Sequence, residues 1–291
     1  MKLSSSLGFA VIAGAFVAMN CQASQEKSHV IMDLTKGAEV ESSTWHLAVA
    51  GKRYLCVKKG DPQVAPQIVD DPEVGKAIRI ELDPTSGKGP DNGRDKINYT
   101  VVKAQDSKAP TFDGRTVYYR FALKLDPQEF ETPTSGRDYV IAQWWQGAPF
   151  GPPLSLQILP SSDPSASPEI AFVIRNGETG ANPSAKTIDL RPKGVPSLER
   201  GKWYKFEVAT KFSYNGGGAL RVWIDGKEVI SWEGSIGYDP SASGPQLGYK
   251  SGSKMDRSPN SNLELYFGPY RDRMASKQVF YFADVSYGDE K

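Results

Sequence analysis

Cysteine and histidine are scarce in this chain: its 291 residues contain two of each. Two histidines, His29 and His46, are too few for a His-rich metal site. Of the cysteines, Cys21 lies in a stretch that reads as a removable leader, MKLSSSLGFAVIAGAFVAMNCQAS. One lysine, an apolar run from Leu7 to Met19 and small residues ending at Ala23 are the pattern of a secretory signal cut near Ala23. An acylated anchor at Cys21 is the weaker alternative, because Met19 and Asn20 are poor residues before such a cysteine. With Cys21 removed, Cys56 has no intramolecular disulfide partner, and a Cys-based zinc site is excluded. The apolar run is short for a bilayer, so no membrane span is expected. The expected organisation is a signal over 1–23, one domain over 24–291, and a secreted or periplasmic protein.

An excess of charge of either sign is also missing. Lys plus Arg number 35 and Asp plus Glu 34, a formal net charge of +1, which gives no reason to expect nucleic acid as the main partner. No stretch carries convincing helical periodicity, and no internal repeat stands out. A Glu-x-Asp-x-x-Glu strand, as retaining β-sandwich glycosidases would need, is absent, as are a Gly-x-Ser-x-Gly elbow and a phosphate loop.

What the chain has instead is aromatic residues and turns: 13 Tyr, 12 Phe and 6 Trp, with 28 Gly and 21 Pro. VYYRFALKL (117–125) puts Val117, Tyr119, Phe121, Leu123 and Leu125 on one face and Tyr118, Arg120 and Lys124 on the other, a period of two that belongs to a strand. AIRIEL, WYKFEVATKF and ALRVWI alternate likewise, and Asp225-Gly226 marks a tight turn before KEVISW. The segments 83–95, 160–168 and 238–262 are rich in turn formers and read as surface loops. VFYFADVSYG (279–288) must pair inside a sheet to be stable, which ties the end of the chain to the same core. An all-β, single-domain jelly roll follows, a sandwich of two antiparallel sheets with long surface loops. Val117, Phe121, Leu154, Leu156, Phe206, Val222 and Ile224 are expected in its core.

The stretch QWWQGAPFGPPLSLQI (143–158) puts amides and indoles side by side. As a regular strand, 138–145 would point Val140, Ala142 and Trp144 one way and Tyr139, Ile141, Gln143 and Trp145 the other. Gln143 beside Trp145 suits either a solvated face or a groove where an amide meets a ligand and an indole covers a sugar ring.

The order in which the motifs follow one another is more specific. QWW, PPLSLQI, GKWYKFEVATKFS, GALRVWIDGKEVISWEG, LELYFGPYRDR and FYFADVSYG together resemble the jelly-roll polysaccharide lyases grouped around glucuronan lyase and heparin lyase I, over residues 75–288. That resemblance implies cleavage of a uronic-acid polymer by β-elimination, with glucuronan-like polymers first and alginate or a glycosaminoglycan next. It implies Tyr270 and Gln143 as the catalytic pair: Gln143 stands at the family's Gln, and Tyr270 at the Tyr of its Lys-x-Gly-x-Tyr-Arg strand. Arg271 matches the Arg that follows, and Arg94 an Arg of an earlier strand. Lys96 stands where Glu is usual, Trp145 where many members carry His, and Tyr266 where the Lys would be.

Substrate contacts are expected from Arg94, Lys96, Asn98, Arg120, Lys124, Trp145, Tyr266 and Arg271. Gln143, Trp145, Arg120, Lys124 and Tyr270 are expected to share one concave face. In β-elimination the C5 proton leaves while the C6 carboxylate is neutralised, a task for amides and cations such as Gln143, Asn98 and Arg94. A tyrosine can act as base and then acid if nearby cations lower its ordinary value of about 10, and Arg271 and Arg273 lie close to Tyr270 in sequence. His46 or Tyr266 is the next base to consider. No cofactor is required by this chemistry. Members of the group can hold a structural calcium, although no Asp-rich loop stands out here. The expected partner is an anionic polysaccharide, met by a monomer. The rival reading is a non-catalytic carbohydrate-binding module.

Overall fold

The computed structural model describes residues 29–59, 64–84, 93–103, 105–106, 109–134, 139–177, 187–194, 197–252 and 256–289. The leader and Cys21 lie outside them. Eighteen strands and one short 3-10 turn make up the regular structure of the described residues.

An eight-stranded antiparallel sheet runs in the order β16 (Lys227–Ile236), β15 (Ser213–Ile224), β14 (Trp203–Lys211), β9 (Thr116–Phe130), β18 (Gln278–Gly288), β7 (Gly75–Leu82) and β6 (Gln67–Asp71). The eighth strand, β1 (His29–Met32), pairs with the end of β18. Facing it is a seven-stranded antiparallel sheet, in the order β13 (Ile188–Leu190), β12 (Ile170–Ile174), β11 (Leu154–Ile158), β10 (Tyr139–Trp145), β17 (Glu264–Asp272), β8 (Arg94–Val102) and β5 (Cys56–Lys59). A small sheet of β2 (Glu39–Val40), β3 (Leu47–Val49) and β4 (Lys52–Tyr54) completes the set. This is the jelly-roll sandwich that the alternating strands predict.

Alternation explains why the layers close. On β9 the five apolar residues of the inward set, Val117 to Leu125, are all buried. Phe121 stacks on Phe206 of β14 at 4.8 Å between ring centroids, and Tyr119 meets Trp144 of β10 edge-on at 5.2 Å across the sandwich. Phe267 of β17 and Phe282 of β18 make a second bridge at 5.4 Å. Such pairs add to the area they remove from water. All seven expected core residues are buried.

β10 departs from simple alternation. Both of its ladders shift between Val140 and Ala142: against β11 the bulge puts one extra residue into β10, and against β17 the extra residue lies in β17. Tyr139, Ile141, Ala142 and Trp144 consequently all enter the core, while Gln143 and Trp145 stay on the outer face. The face expected for Tyr139 and Ile141 is thereby corrected.

Candidate active site

The outer face of the seven-stranded sheet is built mainly by β8, β17 and β10. Tyr266 stands opposite Thr100 on one side and Gln143 on the other; Tyr270 stands opposite Lys96 and Val140; Trp145 stands opposite Glu264. Pro269 does not break the alternation against β8, so Tyr266 and Tyr270 point the same way. Between them lies Gly268, at φ 112°. A Cβ there would meet the carbonyl oxygen of Ile97 at 2.3 Å, so only glycine lets β17 approach β8 this closely. Asn98 uses the approach: its side-chain amide donates to the Gly268 carbonyl and lies 3.3 Å from that of Pro269.

The two tyrosines have opposite electrostatic neighbours. Arg94 Nη1 donates to Tyr270 Oη at 3.0 Å, and its Nε lies 3.3 Å from Asp272. The Lys96 ammonium sits 5.4 Å from the centre of the Tyr270 ring and 4.9 Å from that of Tyr266. Tyr266 instead donates its hydroxyl proton to Glu264. Burial pushes its pKa far up, and the Glu264 carboxylate adds to the effect, so Tyr266 remains a protonated donor. Burial also holds the Lys96 ammonium down at about 8; Glu264 opposes that shift and Lys59 reinforces it.

Gln143 is only 6% exposed, yet its side chain has no hydrogen-bond partner among the described residues. Asn98 Oδ1 is likewise buried without one. Both leave amide capacity toward the outer face or its immediate floor. Trp145 is fixed, its indole N–H donating to the Phe150 carbonyl at 2.7 Å and its ring meeting Tyr266 edge-on at 6.2 Å. A hydroxyl gripped by an arginine, an amide on the next strand and an aromatic wall make a surface that can hold a sugar ring and move a proton.

The polysaccharide lyase family profile matches residues 58–282. The chain belongs to the polysaccharide lyase family. Among solved structures, the endo-β-1,4-glucuronan lyase of the fungus Trichoderma reesei is similar over 80% of this chain and 90% of its own, with 16% identity and a TM-score of 0.55. The alginate lyase Aly36B aligns over 80% of this chain and 86% of its own at 13% identity and a TM-score of 0.48. The alginate lyase vAL-1 from Chlorella virus aligns over 79% and 91% at 13% identity and a TM-score of 0.46. No curated protein matches the sequence.

In this lyase Gln143, Trp145, Tyr266, Tyr270, Arg94, Lys96 and Asn98 come together on one sheet. Arg120 and Lys124 do not join them. Both lie on β9 of the opposite sheet and point away from the core, where Arg120 pairs with Glu207 at 2.9 Å and Lys124 pairs with Asp71. Their expected place on a shared concave face is corrected: a strand's polar face shows in its sequence, but the sheet that carries it does not. Arg271 turns inward, 0% exposed. Its guanidinium donates to Gln278 at 2.6 Å and to the Asp83 carbonyl at 2.7 Å, which makes it a strut between the sheets and not a substrate contact. His46 sits ahead of β3, its Nδ1 taking the Cys56 N–H at 3.3 Å.

Two residues of this face escaped the sequence reading. Glu264 carried a readable signal, being two residues before Tyr266 and so on the same side. Lys59 did not, because nothing in the sequence pairs it with Lys96. Among the described residues no group of three His, Cys, Asp or Glu side chains is arranged to hold a metal ion, and no helix is long and apolar enough to cross a membrane.

Proposed function

We propose that this polysaccharide lyase is exported and cleaves a uronic-acid polymer by β-elimination, with Tyr270 as the proton-transfer residue and Gln143 and Arg94 answering the substrate carboxylate. The observation that carries this reading is the 3.0 Å hydrogen bond from Arg94 to the Tyr270 hydroxyl, on the same outer face as Gln143 and one strand away from it. An arginine donating to that oxygen meets the negative charge it bears once its proton is gone. Tyr270 then takes the proton from C5 of the uronate, and charge spreads onto the C6 carboxylate. There a side-chain amide and a guanidinium stabilise it as it develops. The C4–O bond breaks, a C4–C5 double bond forms, and Tyr270 returns the proton to the leaving oxygen. Acid and base roles fall to one group because Trp145, held by Phe150, cannot titrate.

β-1,4-Glucuronan is the first polymer to try, since the fungal lyase of like fold acts on it; alginate and a glycosaminoglycan follow. Trp145 and Tyr266 also favour a second reading, because their fixed rings would serve a carbohydrate-binding module equally well. The test is ultraviolet absorbance of unsaturated uronides on a panel of these polymers. A lyase generates the signal with at least one of them. A binder leaves every polymer intact, and that result would reject the catalytic reading.

A further inference from the structure

Lys96 is the unusual charge on this face. It is 9% exposed, and among the described residues it has neither an ion pair nor a hydrogen bond. Cations elsewhere have partners: Arg271 and Arg273 flank Asp95, Lys124 meets Asp71, Arg79 lies 2.7 Å from Glu81, and Arg175, as buried as Lys96, donates to the Pro152 carbonyl at 3.2 Å. The acid that acts on it, Glu264, already takes the Tyr266 hydroxyl. Opposite Lys96 on β5 stands a second cation, Lys59, in direct cross-strand register. Like charges facing each other across two strands destabilise the pair, and burial adds the cost of lost hydration.

We propose that Lys59 and Lys96 form a seat for a carboxylate of the bound polymer, at the β5 end of the face and beside Tyr270. The proposal rests on the reading of the substrate as a uronan and assigns it a second carboxylate contact. Gln143 lies on the β10 side of β17; the seat lies on the β8 side and reaches one strand further, a spacing of about 4.8 Å. A polymer crossing the strands would therefore present carboxylates on both sides of Tyr270. Neutral chains of the same shape would leave the two lysines facing one another uncompensated.

The groups around Lys96 set its pH dependence. Lys59 faces it from β5, whose Cys56 lies on the core side of the sheet, Glu264, Tyr266 and Tyr270 face it from β17, and Arg94 lies on its own strand. The ammonium is charged below about 8 and neutral above, so carboxylate binding through it is present at pH 7 and fades as pH rises past 8.

The test is calorimetric binding of tetraglucuronate and of cellotetraose, its carboxylate-free counterpart, to the full chain carrying Tyr270→Phe to stop turnover; should that variant still cleave, KM on glucuronan is read instead. Adding Lys59→Gln or Lys96→Met is expected to weaken tetraglucuronate binding about tenfold, the order for a lost charge-assisted contact, with cellotetraose unaffected. Lys96→Arg should restore binding and remove the loss between pH 7 and 9. Lys96→Met should leave Tm unchanged or raised, since it deletes a buried charge that has neither an ion pair nor a hydrogen bond, whereas a merely structural lysine would lower it. Equal losses for both sugars, no loss, or no tetraglucuronate binding at all would overturn the seat. Charge-dependent binding without uronide release would keep the seat and reject the lyase mechanism; release with binding blind to both lysines would do the reverse.

Discussion

The two sheets turn very different outer faces to solvent. On the eight-stranded sheet the charges are closed into pairs and networks: Arg120 with Glu207, Lys124 with Asp71, and Arg79 and Lys277 sharing Glu81 and Glu129. Lys124 also lies over the rings of Trp203 and Tyr281 at 4.7 and 4.9 Å. On the seven-stranded sheet Asn98 Oδ1 is buried without a partner, and among the described residues Gln143 and Lys96 are buried with no side-chain hydrogen bond or ion pair, Lys96 meeting only the rings of Tyr266 and Tyr270. Volume points the other way. A cavity of about 490 Å³, lined by Met32, Leu34, Val74, Arg120, Lys205 and Trp223, lies on the eight-stranded side. Chemistry and space thus disagree, and the unsatisfied polar groups are the better guide, because an unmatched buried amide or ammonium costs stability and a dent costs little.

That contrast can be broken most sharply at Tyr270. Tyr270→Phe keeps the ring and loses the hydroxyl that Arg94 grips, and turnover on the cleaved uronan is expected to fall at least about a hundredfold with the circular dichroism spectrum unchanged. Near-normal turnover would remove Tyr270 from the mechanism and turn attention to His46. Gln143→Ala should cost roughly a hundredfold in kcat, the loss of one charge-stabilising donor, with KM changing less because the charge it answers develops in the transition state. Equal changes in both parameters would make Gln143 a simple binding group.

Gly268→Ala tests the close approach of β17 to β8 that sets both tyrosines. A Cβ against the Ile97 carbonyl at positive φ should cost at least about 2 kcal/mol, read as a Tm lower by roughly 4–8 °C, and activity should fall with it. On the other sheet, Arg120→Gln should leave turnover within about twofold of the parent and change stability by about 1 kcal/mol or less, the scale for a partly exposed pair. A large drop in turnover from that substitution would mean that the paired face takes part in catalysis after all.

Much of the sandwich is legible in the sequence because period-two alternation is a local property. The inward sets of β9, β14 and β15 can be read residue by residue, and the outward placement of Gln143, Trp145, Tyr266 and Tyr270 follows from the same rule. Three things are not local. The bulge between Val140 and Ala142 moves Tyr139 and Ile141 into the core without leaving a mark in the sequence. Which sheet a strand joins decides that Arg120 and Lys124 are far from Tyr270, and only pairing between distant segments settles it. Lys59 meets Lys96 by register alone. Arg271 is a different case: alternation from Tyr270 already turns it inward, and its neighbour's importance in sequence outweighed that rule.

The position of β18 has a consequence for how the chain matures. This strand, Gln278–Gly288, lies inside the eight-stranded sheet, between β9 on one side and β7 and β1 on the other. A ribosome making the protein releases those three partners long before their shared neighbour exists. Until Gly288 has emerged they hold apart, with ladder edges open and the aromatic layer around Phe280 and Phe282 unfilled. Closing this sheet thus depends on pairings distant in sequence, which makes folding slow.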